Sequence, residues 1–158
     1  MDKKIESFIK EQKNLTLCTS VNNLPSCANC FYAYMSDGNF FVFKSNRTTK
    51  HIANSLINYN IAGTVIPDIS KIGTIKGIQF TGKFTVPIGD VLDKAKKIYY
   101  ARHPFALPMP GELWMIELIS VKMTDNTLGF GGKLMWEKSS VMKQISPTIG
   151  GGFYQPKL

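Results

Sequence analysis

At Leu15 the spacing of the apolar residues changes from helical to a period of two, and a chain patterned that way for most of its length has to build a sheet. Leu15-Thr16-Leu17-Cys18-Thr19-Ser20-Val21 alternates, Asn22-Asn23-Leu24-Pro25 interrupts, and residues 26–35 resume with aromatic and small side chains. Ser36-Asp37-Gly38-Asn39 reads as a hairpin turn, because Asp37-Gly38 tolerates positive φ, and residues 40–44 form the return strand. Further strands are expected at residues 61–67, 74–86, 112–124 and 128–136, with a loop at 68–73 and a join at Asp125-Asn126. In the 74–86 strand, Ile78, Phe80, Gly82 and Phe84 share one side.

Three helical patterns punctuate the strands. Residues 2–13 carry Ile5, Phe8 and Ile9 behind Asp2 as the capping candidate. Residues 51–57 place Ile52, Ala53, Leu56 and Ile57 on one face, and Gly89-Asp90 caps a third helix with the stripe Val91, Leu92, Ala95, Ile98 and Tyr99. Pro104, Pro108 and Pro110 exclude regular structure from the loop at 103–111. This order predicts an antiparallel barrel decorated by helices, not a parallel doubly wound sheet. With 158 residues, 44% of them hydrophobic, the chain supplies one core rather than two. A single domain over residues 1–138 is expected, followed by a polar tail at 139–158 that is either disordered or an arm reaching a partner chain.

Composition narrows the function classes. No apolar run approaches the roughly 20 residues that cross a bilayer, and the start Asp2-Lys3-Lys4 is not a secretory leader, so a cytoplasmic protein without a membrane role is expected. The net charge of +8 suits an anionic partner, yet the lysines are spread over every segment and no nucleic-acid-binding signature is present. A small phosphorylated ligand fits that charge without invoking nucleic acid. Three cysteines are an odd number, which argues against a disulfide framework and for reduced thiols. Cys27-Ala28-Asn29-Cys30 has zinc-knuckle or redox spacing, but it lies in a strand pattern and lacks a second pair, so no metal site is expected and the cysteines read as small buried hydrophobes.

Two stretches could bind a ligand. Ser45-Asn46-Arg47-Thr48-Thr49-Lys50 carries a strand into a helix N-terminus, where free N–H groups and the helix dipole meet the hydroxyls of Ser45, Thr48 and Thr49 and the cations of Arg47 and Lys50. Such a turn is a phosphate cradle or an ordinary capped surface helix; it lacks the glycines of a P-loop. In Lys76-Gly77-Ile78-Gln79, a glycine inside a strand lets a flat ring approach the backbone while Lys76 and Gln79 offer donors, or it marks a bulge. The acidic residues are too dispersed for a carboxylate dyad and the serines lack a nucleophile elbow, which leaves no machinery for hydrolysis.

The run Trp114-Met115-Ile116-Glu117-Leu118, leading into Val121-Lys122-Met123-Thr124-Asp125-Asn126-Thr127-Leu128-Gly129-Phe130-Gly131-Gly132-Lys133-Leu134-Met135-Trp136, resembles the C-terminal signature of the YhbP family. That family is a branch of the pyridoxamine 5'-phosphate oxidase-like flavoproteins. Cys27-Ala28-Asn29-Cys30-Phe31-Tyr32, Ala62-Gly63-Thr64-Val65 and Lys76-Gly77-Ile78-Gln79-Phe80-Thr81-Gly82 are similar to it in the same order. The resemblance implies a six-stranded split barrel, a homodimer, and FMN bound at the dimer interface. It assigns the phosphate to Ser45, Asn46, Thr48, Thr49 and Lys50, and the isoalloxazine to Asn29, Lys76, Gly77 and Gln79. The arginines that mark the true oxidases have no counterpart, so oxidation of vitamin B6 is not implied. The expected function is an FMN-dependent oxidoreductase acting on a small molecule, with no catalytic acid or base assigned. The alternative is a non-enzymatic haem or flavin carrier or sensor, with His51 and His103 as candidate axial ligands.

Overall fold

Asn22 and Asn23 set the first hairpin. In the computed structural model, which describes residues 1–68, 76–126 and 132–139, both hold positive φ (52° and 60°). A two-residue type I′ turn requires that backbone, and it seats Val21 opposite Leu24 as a hydrogen-bonded pair. The next pair, Ser20 with Pro25, is therefore non-hydrogen-bonded, and the third strand does not reach this end of the second. Pro25 needs no N–H on either side. This is why the strand runs through a proline that the sequence pattern marks as a break.

In chain order the elements are α1 (Lys3–Glu11), β1 (Asn14–Val21), β2 (Leu24–Met35), β3 (Phe40–Ser45), α2 (Lys50–Ile57), β4 (Asn60–Val65), β5 (Lys76–Thr85), α3 (Gly89–Arg102), a 3-10 turn (Pro104–Ala106), β6 (Glu112–Asp125) and β7 (Lys133–Glu137). The antiparallel sheet has the order β3-β2-β1-β4-β5-β6-β7, and β3 also pairs with β6 from Phe40↔Glu117 to Ser45↔Glu112. Six strands thus close into a ring. β7 adds a seventh beside the far half of β6, Ser120 to Thr124, so the sheet exceeds the six strands that the resemblance implies.

Alternation along the strands fills the ring. Leu15, Leu17, Tyr32, Phe41, Phe80 and Trp114 belong to the interior cluster, and α1 adds Ile5, Phe8 and Ile9 to it. Asp2 caps α1 by accepting from the Lys4 N–H at 2.7 Å, while Arg102 donates to the carbonyls of Glu11 and Gln12 at the opposite end, where a cation suits the helix dipole. A second cluster lies between the outer wall and α3, built on Ala33, Met35, Val42, Ala95, Tyr99 and Met115. These strands are buried on both faces there, so residues 32–35 are apolar or aromatic without a break.

Gly63 is the tightest point of the wall. A Cβ on it would lie 2.3 Å from both the Phe80 ring and the Thr16 carbonyl oxygen. Gly63→Val is expected to destabilise the fold by about 1–3 kcal/mol or more, the usual cost of overpacking, read as a lower urea midpoint; an unchanged midpoint would contradict this packing.

Three helical expectations change. α2 buries Ile52 and Ser55, not the Ile52, Ala53, Leu56 and Ile57 face, and leaves Leu56 and Ile57 exposed. It is tied to β1 by polar contacts, Asn54 Nδ2 to Thr19 Oγ1 (3.1 Å) and Asn58 Nδ2 to the Ser20 carbonyl (2.9 Å), which an apolar-stripe argument cannot weigh. α3 begins at Gly89, whose positive φ of 53° turns the chain into the helix, so the cap position falls on Ile88, and Val91 is exposed. The loop at 103–111 contains the 3-10 turn because proline at a first helical position gives up no needed N–H. Residues 140–158 of the expected tail, the strand start at 128–131, residues 74 and 75 of the strand expected at 74–86 and most of the loop at 68–73 lie outside the described residues; at the expected join, Asp125 still belongs to β6. Among the described residues, no helix is long and apolar enough to cross a membrane.

Candidate functional site

The turn from β3 into α2 gathers hydroxyls around a helix start. Ser45 ends β3, and its carbonyl accepts from Trp114 Nε1 at 3.0 Å, which fixes the turn against the core. Its Oγ lies 3.1 Å from Thr49 Oγ1 and 2.8 Å from His51 Nε2. Thr49 occupies the cap position, yet its hydroxyl donates back to the Asn46 carbonyl (2.8 Å) instead of capping α2. Among the described residues, no side chain caps this helix and no acid lies in its first turn, so the positive end of the dipole remains for an anion. Lys50, Asn46 and Thr48 are exposed around it. Arg47 stands 5.4 Å over the Trp114 ring and 3.4 Å from Glu112 Oε1, an exposed pair of little energetic weight.

His51 belongs to this cluster, whereas the sequence marks it only as a candidate haem ligand. The hydroxyl-rich turn two residues before it was the available signal. Burial holds its pKa below the ordinary 6.5. His103 is buried as well; its Nε2–H donates to the Tyr32 carbonyl at 2.8 Å, and desolvation lowers its pKa too. Both histidines favour the neutral form in the fold, so the unfolded chain binds more protons on acidification. Stability is expected to hold above pH 6.5 and to fall as the pH drops from there toward the lowered folded values. Urea midpoints at pH 7.5 and 5.0 check this, and a His103→Gln variant with the wild-type acid sensitivity would remove His103 from the account.

The second cluster is a row across the outer face of the sheet. Cross-strand pairing runs Asn29, Thr16, Thr64, Gln79, Lys122, Met135 through β2, β1, β4, β5, β6 and β7. Thr16 Oγ1 donates to Asn29 Oδ1 at 2.9 Å. A parallel row runs Cys27, Cys18, Ala62, Thr81, Ser120, Glu137, in which Thr81 and Ser120 hydroxyls lie 2.6 Å apart. Two adjoining concavities of about 410 and 470 Å³ open along these rows and share Cys18, Ala62 and Thr81.

Of the ring-binding residues expected from sequence, the fold brings Asn29 and Gln79 into one row. Gly77 is on the same face as Gln79, where a Cβ would lie 3.2 Å from the Val65 carbonyl oxygen. Lys76 is set apart: alternation turns it to the other face, with Nζ 3.4 Å from Asp125 and 5.5 Å from the Phe8 ring. β2 carries Asn29 of the row and pairs with β3, the strand that leads into the turn, only from Tyr32↔Phe43 onward. Phe31 is half-exposed on that strand and meets Phe105 edge-on at 5.6 Å.

No family model matches the chain. Solved structures of other proteins share the fold of this ring of strands, a split barrel. A heme binding protein from Mycobacterium smegmatis is similar with a TM-score of 0.70 at 14% identity, over 87% of this chain and 59% of that one. A pyridoxamine 5'-phosphate oxidase-related, FMN binding protein from Nostoc punctiforme is similar with a TM-score of 0.61 at 11% identity, over 86% and 90%. A UPF0306 protein of Photorhabdus laumondii is 37% identical over 134 residues, covering 85% of this chain and 94% of that protein. The chain belongs to the UPF0306 family.

Proposed function

We propose that this chain is an FMN-binding flavoprotein of the YhbP type, a cytoplasmic homodimer that serves as an oxidoreductase toward a small molecule. The observation that carries the reading is the uncapped start of α2, with the Ser45 hydroxyl and the Lys50 ammonium around it, a donor set suited to a phosphate dianion that Thr49 joins by turning its hydroxyl away from the Asn46 carbonyl. Asn46 and Thr48 complete the cradle. Asn29, Gly77 and Gln79 hold the ring; Lys76 would reach it only by leaving Asp125. When bound, FMN supplies electron or hydride transfer, and the protein's part is to position the ring and exclude water. A second copy covers the exposed Phe31, Phe105, Leu107 and Met109, and obligate interfaces of this kind bury roughly 2,000 Å² or more.

Haem is the second reading, favoured by the likeness to a heme binding protein. Against it, His103 Nε2 is committed to the Tyr32 carbonyl and His51 Nε2 to the Ser45 hydroxyl, so neither offers that nitrogen without losing a partner. The absorbance of the purified protein decides between them: flavin bands are expected after incubation with FMN, a Soret band after incubation with haem would favour the rival, and uptake of neither would overturn both. Light scattering on the same sample is expected to give twice the chain mass.

A further inference from the structure

We propose that Cys18 and Cys27 form a reactive dithiol, which low-molecular-weight disulfides oxidise to a covalent bridge between β1 and β2. The two sulfurs lie 3.2 Å apart. Counting from the Val21↔Leu24 turn pair, hydrogen-bonded and non-hydrogen-bonded pairs alternate, and Cys18↔Cys27 falls on a non-hydrogen-bonded position. There Cα atoms stand about 4.5 Å apart, within the span of roughly 4.4–6.8 Å that a disulfide accepts. The sulfurs need to approach by only about 1.2 Å to reach bonding distance, a movement that side-chain rotation supplies.

The two thiols differ in access. Cys27 is exposed and Cys18 half-buried on the outer face, whereas Cys30 is buried in the barrel interior and has no part in the pair. Among the described residues, no cluster of histidine, cysteine and carboxylate groups is large enough to hold a metal, so the pair is left to thiol chemistry. The exposed Cys27 thiolate attacks one sulfur of the external disulfide; that S–S bond breaks, and one small thiolate leaves and takes a proton. The Cys18 thiolate then attacks Cys27 Sγ in the mixed disulfide and expels the second small thiolate. Two protein thiols are oxidised and one external disulfide is reduced to two thiols. Burial and the neighbouring Cys27 push the Cys18 thiol up to about 11, which keeps it protonated and disfavours it for the first attack. The bridge would lie beside the Thr16–Asn29 contact, so its formation would stiffen the outer face at the edge of the row.

Full-length protein incubated with glutathione disulfide tests this. Free thiols, counted after denaturation, are expected to fall from three to one, with intact mass showing the loss of two hydrogens and no glutathione adduct; peptide mapping should join Cys18 to Cys27. Cys18→Ser, which keeps the exposed thiol without its resolving partner, should instead hold a stable adduct on Cys27, and Cys27→Ser should keep both remaining thiols. Melts of the two serine variants confirm that each is folded. Retention of all three thiols in the wild type, a lasting adduct there, or a bridge that uses Cys30 or links two chains would overturn the proposal.

Discussion

Thr49→Ala combined with Lys50→Ala weakens FMN binding by about two orders of magnitude or more and leaves riboflavin binding nearly unchanged. Riboflavin lacks only the phosphate, so the contrast isolates the cradle. Hydrogen bonds to charged groups contribute about 1.5–3 kcal/mol each, and two lost together exceed a hundredfold in affinity. Neither substitution removes a buried apolar group, since Thr49 is half-buried and Lys50 exposed, and the core contact of the turn runs through the Ser45 carbonyl and Trp114. Fluorescence titration with both ligands gives the answer, and equal losses would show that the phosphate binds elsewhere.

Gly77→Val, in protein that still folds, abolishes FMN binding, because a branched side chain there stands on the face that carries Gln79. The Val65 carbonyl 3.2 Å from the new Cβ has to shift by a few tenths of an ångström, so a modest loss of stability comes with it. Thermal melts separate the two effects. Gln79→Ala keeps the backbone and removes a donor, and is expected to change the reduction potential of bound FMN, since hydrogen bonds to the ring tune its electronics. Normal affinity in folded Gly77→Val together with an unmoved potential in Gln79→Ala would remove β5 from the site and leave the cradle standing.

The strands were legible because period two survives in single residues: Ile78, Phe80, Gly82 and Phe84 are all buried, as their spacing requires. The faces of the short helices were not. α2 is anchored by Asn54 and Asn58, polar residues whose partners lie on β1. The hydroxyl-rich turn before α2 could be read because its residues are contiguous. The outer row could not, since Asn29 and Gln79 are 50 positions apart and fall into line only through the registers of β1 and β4. Lys76 shows the converse, for nearness to Gln79 in sequence placed the two on opposite faces.

Pro25 has one more effect, on how copies of the chain meet in crowded solution. Among the described residues, β2 pairs with β3 only from Tyr32 to Met35, so its first half, from Leu24 to Phe31, presents an open strand edge. An open edge is a template for aggregation, because any extended segment can add to it by main-chain hydrogen bonds. Pro25 removes a donor at the tip of that edge, and the paired left-handed asparagines just before it twist the hairpin strongly. The same proline that fits the turn register therefore interrupts runaway strand addition on the side of the barrel where the candidate site has to stay open.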